Sequence, residues 1–331
     1  MKVTIYDVAE KSGVNISTVS RALDPGKKGL ISEKTRNRVI EAARALAYYP
    51  DTAARALMTG KMMTIGLVVQ SLEERTDSQF AEMLRSAEPA ARKLGYRVAV
   101  FGELDAVLQG RIVDGIITLA DPGDEVITRI AEHGMPAIYV CPRPASAGDS
   151  VAWSDQDGVY KGVEYLHGLG HRRIAGIFGD LPVELQERSS KLQGFRDAVR
   201  DLKIDSREYF ADFSPDQFEN GYLIGRSLLT DVQDFSAIIT RNDFLAFGVM
   251  KALREAGIET PADMSVLGYS DSQFARCSDP ALTSVHTPIA AAGEIAVSRV
   301  IDMINGEEVQ DQGVVLPVSV TVRDSCRQCS R

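Results

Sequence analysis

Between residues 4 and 47 the apolar positions recur at helical spacing in three short runs. After residue 63 they gather into short β-type runs separated by amphipathic stretches. In the first run Ile5, Val8 and Ala9 share a face, Thr4 stands where a cap belongs and Asp7 falls in the first turn. This predicts a helix over residues 4–12. Gly13 can take the left-handed conformation of a tight turn. Asn15 is placed to cap a second helix, Ile16 to Leu23, with Val19, Ala22 and Leu23 on one face and Ile16, Ser17, Ser20 and Arg21 away from it. A third helix is predicted from about Ser32 to Ala47, on Val39, Ile40, Ala43 and Leu46. Two short helices joined by a glycine turn, the second with a free polar face, make the helix-turn-helix pattern. The same three helices would also serve as a plain structural bundle.

Beyond Met63, strands are predicted at 64–69, 97–101, 115–119, 137–140, 151–154, 173–178, 237–240, 265–269 and 314–316. Helical stretches such as 80–94, 158–169, 189–202 and 244–256 fall between them. Strand and helix in alternation give a parallel-sheet α/β design. The stretch is too long for one open sheet, so two lobes are expected. The fold class is thus an all-α helix-turn-helix head followed by an α/β two-lobed body.

Charge divides the chain at the same place. Residues 1–61 hold 11 Lys/Arg and 6 Asp/Glu, or +5, and the remainder holds 26 and 40, or −14. A basic head on an acidic body suits a head that meets a polyanion. No run of about 18 apolar residues exists, and no apolar segment follows Lys2, so neither a membrane span nor a signal peptide is expected and a cytoplasmic location is. The four cysteines, at 141, 277, 326 and 329, do not form a disulfide framework at this size, and Cys326-x-x-Cys329 alone is a thin metal or redox signal. Phosphate-loop, dinucleotide, nucleophile-elbow and zinc-protease motifs are missing, so no enzyme activity, metal or cofactor is expected.

The runs Val3–Ala9, Gly13-Val14, Ser17–Leu23, Thr35-Arg36, Ala53–Leu57 and Thr64–Val69 resemble the head and first strand of the lactose repressor (LacI/GalR) family. The likeness continues through 158–175, 192–196, 240–243 and 261–269. It implies a DNA-binding domain over 1–49, a hinge over 50–61 and a periplasmic-binding-protein-like effector and dimerisation domain over 62–331. The N-lobe would span about 62–155 and 287–316, and the C-lobe about 156–286 and 317–331. The resemblance further implies that Ile16, Ser17 and Arg21 face base edges, with Arg21 able to grip a guanine. Tyr6, Thr18 and Ser20 would contact phosphates, with Thr4 and Asn15 beside them. Ala54 and Leu57 would belong to a hinge helix that folds on DNA, Leu57 wedging between base pairs. Implied partners are a palindromic double-stranded operator, a small-molecule effector and a second copy of the chain, as homodimer or tetramer.

The effector cleft departs from that family. Gln79 stands where a ring-stacking Phe is common, with Phe80 kept; Cys141 replaces a common Asp; Lys191 replaces a ligand-gripping Arg; Ser270 replaces the first Asp of a pair. Asn242 and Asp155 match, and Arg188 lies one turn before Lys191. Loss of acidic groups with a cation retained suggests a sugar acid or sugar phosphate; a neutral carbohydrate held by other residues is the alternative. The segment 102–111 is about ten residues shorter than is usual in the family, which predicts a truncated N-lobe helix. His171 is read as the start of a strand rather than a catalytic group, and Trp153 as either cleft or core. Rival functions are a body that senses a protein, a transport binding protein, and an α/β enzyme.

Overall fold

The computed structural model describes residues 3–23, 30–48, 60–69, 78–110, 112–119, 124–141, 149–179, 186, 189–210, 216–230, 234–307 and 313–329. Three helices come first: α1 (Ile5–Ser12), α2 (Ile16–Leu23) and α3 (Glu33–Ala45). They bury Val8, Ala9, Val19, Ala22, Val39, Ala42 and Ala43 against one another, the positions that the helical period brings to one side. The Asp7 carboxylate accepts from the Thr4 backbone N–H (2.7 Å) and hydroxyl (2.8 Å), which fixes the start of α1. These bonds hold the Asp7 carboxyl below its ordinary value. Gly13, at φ +62°, ends α1. Asn15 Oδ1 accepts from the Thr18 N–H at 2.8 Å and caps α2. The third helix stops two residues short of expectation: Ala47 turns to φ +50° and Tyr48 N–H reaches back to the Ala43 carbonyl at 2.9 Å.

The body runs β1 (Thr64–Val68), α4 (Ser78–Lys93), β2 (Arg97–Phe101), α5 (Leu104–Gly110), β3 (Gly115–Leu119), α6 (Asp124–Glu132), β4 (Ala137–Cys141) and β5 (Asp149–Ala152). It continues through α7 (Asp155–Gly168), β6 (Arg173–Gly179), α8 (Ser190–Leu202), β7 (Asp205–Phe210), α9 (Gln217–Leu228), β8 (Ala237–Thr240), α10 (Asp243–Glu255), β9 (Ser265–Ser270) and β10 (Thr283–His286). Last come α11 (Ile289–Ile304), β11 (Val314–Val315) and β12 (Ser319–Thr321). One sheet has the order β11-β5-β4-β3-β1-β2 and is parallel throughout. The other has the order β12-β10-β9-β8-β6-β7, with only β12 antiparallel. The chain changes sheet three times: after β5, after β10 and after β11. Sheets of this kind offer ligand space beyond the carboxyl ends of their strands.

Strands β3 and β4 are buried at every position, which is why they read as unbroken apolar runs. The core of the first lobe joins Ile65, Leu67, Met83 and Ile138 to Ile289, Ala296, Val297 and Val300 of α11. The shortened 102–111 segment keeps a two-turn helix, α5, that buries Leu104, Val107 and Leu108. Three strands were not foreseen, each for a reason. The β7 residues are half-exposed and mostly polar. In β10 the buried positions include Thr283 and Ser284. Strand β12 has three residues. Strand β5 lies two residues earlier than predicted because Asp149 is buried within it, held bidentately by Arg299 at 2.7 and 2.8 Å.

The helices of the second lobe cross without room for side chains. A Cβ on Gly221 would stand 2.2 Å from the Leu245 carbonyl oxygen, and one on Gly248 2.1 Å from that of Phe218. The end of the chain is stitched into this lobe. Ser325 Oγ donates to the Val266 carbonyl (2.6 Å) and accepts from Thr283 N–H (2.8 Å). His171 is buried just before β6; its Nε2 donates to the Arg327 carbonyl (3.0 Å) and its Nδ1 accepts from Ser236 Oγ (2.9 Å). Burial lifts the Cys326 thiol to about 12, so it is a packing group rather than a nucleophile.

Candidate nucleic-acid interface and ligand cleft

Helix α2 turns Val19 and Ala22 inward and leaves Ile16, Ser17, Ser20 and Arg21 exposed, with Thr18 half-buried. Thr4 and Tyr6 of α1 are exposed beside it, Tyr6 by 68%. Arg21 forms no ion pair among the described residues. Asn15 and Ser17 are joined, the Ser17 hydroxyl donating to Asn15 Oδ1 at 2.8 Å. One positioning residue passed unnoticed in the sequence. Arg36 of α3 donates to the Ala22 carbonyl (2.9 Å) and the Arg21 carbonyl (3.4 Å). A cation on the last carbonyls of α2 fixes how that helix is presented. Its place in Thr35-Arg36 was the only signal. Ala54 and Leu57, and the lysines of the loop after α2, lie outside the described residues.

In the body, two adjoining groups form at the carboxyl ends of the second sheet. Lys191, in the first turn of α8, donates to the Arg241 carbonyl (3.2 Å), stands 3.8 Å from Asp155 Oδ2 and lies 3.9 Å from the Tyr269 ring centroid. Asp155 Oδ1 accepts from the Tyr269 hydroxyl (2.5 Å) and Trp153 Nε1 (2.9 Å). Trp153 is thus both core and cleft support. A Cβ on Gly158 would meet the Tyr269 oxygen at 2.8 Å, so only glycine leaves that hydroxyl its path. Burial, with the Asp155 charge beside it, raises the Tyr269 phenol well above its ordinary value, so it remains a donor. Asn242 caps α10 through Leu245 N–H (2.9 Å) and donates to Gln217 Oε1 (3.1 Å), which also accepts from Arg241.

The second group gathers around Ser270. Gln79 Nε2, from α4 of the other lobe, donates to Ser270 Oγ and to Thr287 Oγ1, both at 3.2 Å. Phe80 packs against the first lobe's core. The structure thus brings Gln79 to Ser270, and Lys191 to the carbonyl of the residue before Asn242. Cys141 is not brought to them: it is fully buried among the core residues of the first lobe, because β4 is covered on both faces. Arg188 lies outside the described residues. Tyr269, Gln217, Arg241 and Thr287 were not singled out beforehand, although Tyr269 directly precedes Ser270. No described group of three or more His, Cys, Asp or Glu side chains could hold a metal ion. No described helix is long and apolar enough to cross a membrane.

Comparison with known proteins bears on both regions. A model of "Bacterial regulatory proteins, lacI family" matches residues 4–51, and one of "Periplasmic binding protein-like domain" matches residues 163–326. The HTH-type transcriptional repressor PurR of Klebsiella pneumoniae subsp. pneumoniae is 30% identical over 327 residues, covering 94% of this chain and 93% of PurR. The HTH-type transcriptional regulator DegA of Bacillus subtilis is 31% identical over 339 residues, covering 98% of each. Among solved structures, the lac repressor dimer bound to operator and an anti-inducer superposes with a TM-score of 0.80 at 28% identity, covering 99% of this chain and 100% of that one. The CelR–cellobiose complex gives 0.69 at 26% identity, covering 98% and 100%. A head and a body that both match, in one chain of matching length, settle the assignment: the chain belongs to the lacI family of bacterial regulatory proteins.

Proposed function

We propose that the protein is a transcriptional repressor that reads a twofold-symmetric operator with α2 and is controlled by a small molecule held between its two lobes. The exposed row Ile16, Ser17, Ser20 and Arg21 carries the reading. It stands on a head of charge +5 and is backed by Arg36. Arg21 is assigned to a base edge, and Tyr6, Thr18 and Ser20, with Thr4 and Asn15, to phosphates and register. Ala54 and Leu57 are assigned to a hinge segment that orders on DNA. Random-pool selection with the full chain should return a palindrome, and Arg21→Ala should weaken that site by ~1–3 kcal/mol. Equal affinity of the variant for the selected site overturns the base contact.

The effector is a carbohydrate or its acid or phosphate derivative, assigned to Lys191, Asn242, Ser270 and Gln79 with Phe80, and to Arg188 on the family resemblance alone. Cellobiose in CelR and ribose in a related regulator from Enterococcus faecium support the class. Lys191 already faces Asp155, which tempers its pull on an anion. Calorimetry with neutral sugars against their acids decides between them.

Self-association has its own surface. A cavity of about 680 Å³ lies between Phe218 of α9, Phe247 and Met250 of α10, and the 258–260 and 278–280 segments. Lys251 and Arg254 line it along with Glu259 and Asp279. A twofold axis can set one copy's basic residues against the other's acidic ones, as an isologous interface requires. Phe247→Arg should sediment as a monomer; an unchanged dimer refutes this face.

A further inference from the structure

Helix α4 belongs firmly to the first lobe. It packs on α11 so closely that a Cβ on Gly293 would stand 2.5 Å from Ser86 Oγ and 3.2 Å from the Met83 carbonyl oxygen. Its first turn nevertheless holds on to the second lobe. The two N–H bonds of the Gln79 amide are spent on Ser270 Oγ, at the end of β9, and on Thr287 Oγ1, in the crossover between β10 and α11. The Thr287 hydroxyl donates in turn to the Ser270 carbonyl at 3.3 Å, closing a triangle.

The strand end that Gln79 grips is not relaxed backbone. Ser270 lies at φ +108° and Asp271 at φ +54°, where side-chain-bearing residues are uncommon. Four groups hold the turn through Asp271. Its N–H donates to Ser284 Oγ (3.0 Å). Its carboxylate accepts from Arg323 (2.5 Å), Thr321 (2.9 Å) and His286 Nδ1 (3.1 Å). One turn along α4 from Gln79, Glu82 is half-buried, and burial pushes its carboxyl above its ordinary value against the opposing charges of Arg85 and His286. The N-terminal face of α4 therefore meets a pre-stiffened hook.

We propose that Gln79 is an interlobe latch: its amide ties α4 to Ser270 and Thr287 and holds the lobes together without any ligand. An effector then acts on a body whose lobe angle is already biased, and its leverage is the difference between latched and unlatched forms. The latch concerns the body alone, so it stands or falls separately from operator reading.

The test is hydrogen–deuterium exchange on the full chain, with no DNA and no ligand, comparing wild type, Gln79→Ala, Ser270→Ala and the double variant. The crossover amides of Ile289, bonded to the Thr287 carbonyl, and Ala292, bonded to that of Pro288, report the joint. Each single variant should speed their exchange about two- to ten-fold, the range of one net hydrogen bond. The double variant should add little to either. Thr287→Val, which keeps volume, guards against a general loss of fold and should act like Gln79→Ala while melting cooperatively. Unchanged crossover exchange in Gln79→Ala, or effects of Gln79 and Ser270 that simply add, would overturn the latch.

Discussion

The two lobes have one strand plan and different strand ends. Their sheets run β2-β1-β3-β4-β5 and β7-β6-β8-β9-β10, yet β1, β3 and β4 finish on the buried apolar Val68, Leu119 and Cys141, while β8, β9 and β10 finish on Thr240, Ser270 and His286. Among the described residues, the polar chemistry of the cleft is thus concentrated on the second lobe, and the first contributes Gln79 through a helix and the Trp153 indole N–H just after β5. Topology builds the crevice twice over; a handful of terminal positions decide what it can hold.

If the second lobe is the more tightly specified, it should fail most sharply when its helix crossing is disturbed. Gly248→Ala puts a methyl against the Phe218 carbonyl and should cost ~3 kcal/mol or more, beyond ordinary overpacking because the obstacle is backbone. Exchange protection should fall in residues 216–255 before it falls in β1 or β3; uniform loss would show that the lobes are equally brittle.

Asp243 comes next. Burial lifts its carboxyl from 3.8 to about 6, while Ser284 Oγ and Ser272 N–H pull the other way. The folded chain therefore holds this proton more tightly than the unfolded chain. Its contribution is complete below 3.8 and is lost as pH rises through about 6, on the order of 2–3 kcal/mol. Calorimetry of Asp243→Asn should lack that decline; an identical pH profile would remove Asp243 from the account.

Tyr269→Phe deletes one donor to the Asp155 carboxylate and should cost ~1.5–3 kcal/mol, with Trp153 fluorescence shifting as its neighbour changes. A neutral effect would mean that Trp153 Nε1 and Lys191 suffice to keep that carboxylate in place. The smallest effect belongs to His286. Its bond to Asp271 raises it above 6.5, so its stabilisation is full below 6.5 and fades as pH rises through the raised value. With the side chain 42% exposed, a few tenths of a kcal/mol are expected. His286→Asn should flatten that window, and a persistent slope would locate it elsewhere.

Much of the fold was legible because it follows period. The helices of the head and the buried central strands declare themselves by apolar spacing. Strand β10 did not, since Thr283 and Ser284 are buried through hydrogen bonds rather than through apolarity, and neither did the half-exposed β7 or the three-residue β12. The cleft was half legible. Resemblance pointed to Gln79, Lys191, Asn242 and Ser270, but not to which neighbours each would grip. Cys141 shows the limit: a position conspicuous by substitution was swallowed by the core. Arg36 shows the reverse, a residue whose task, bracing α2 from a neighbouring helix, exists only in three dimensions.

The stitching of residues 325–329 onto β9, β10 and the segment just before β6 has a consequence for biosynthesis. The head is finished when some fifty residues have left the ribosome, but α11, which completes the first core, and residues 325–329, which seal the second, emerge more than two hundred residues later. Both halves of the body must therefore wait, open and in need of protection, until residues 289–329 have been made. A ribosome stalled before residue 289 would release a chain with a folded DNA-reading head and an unsealed body.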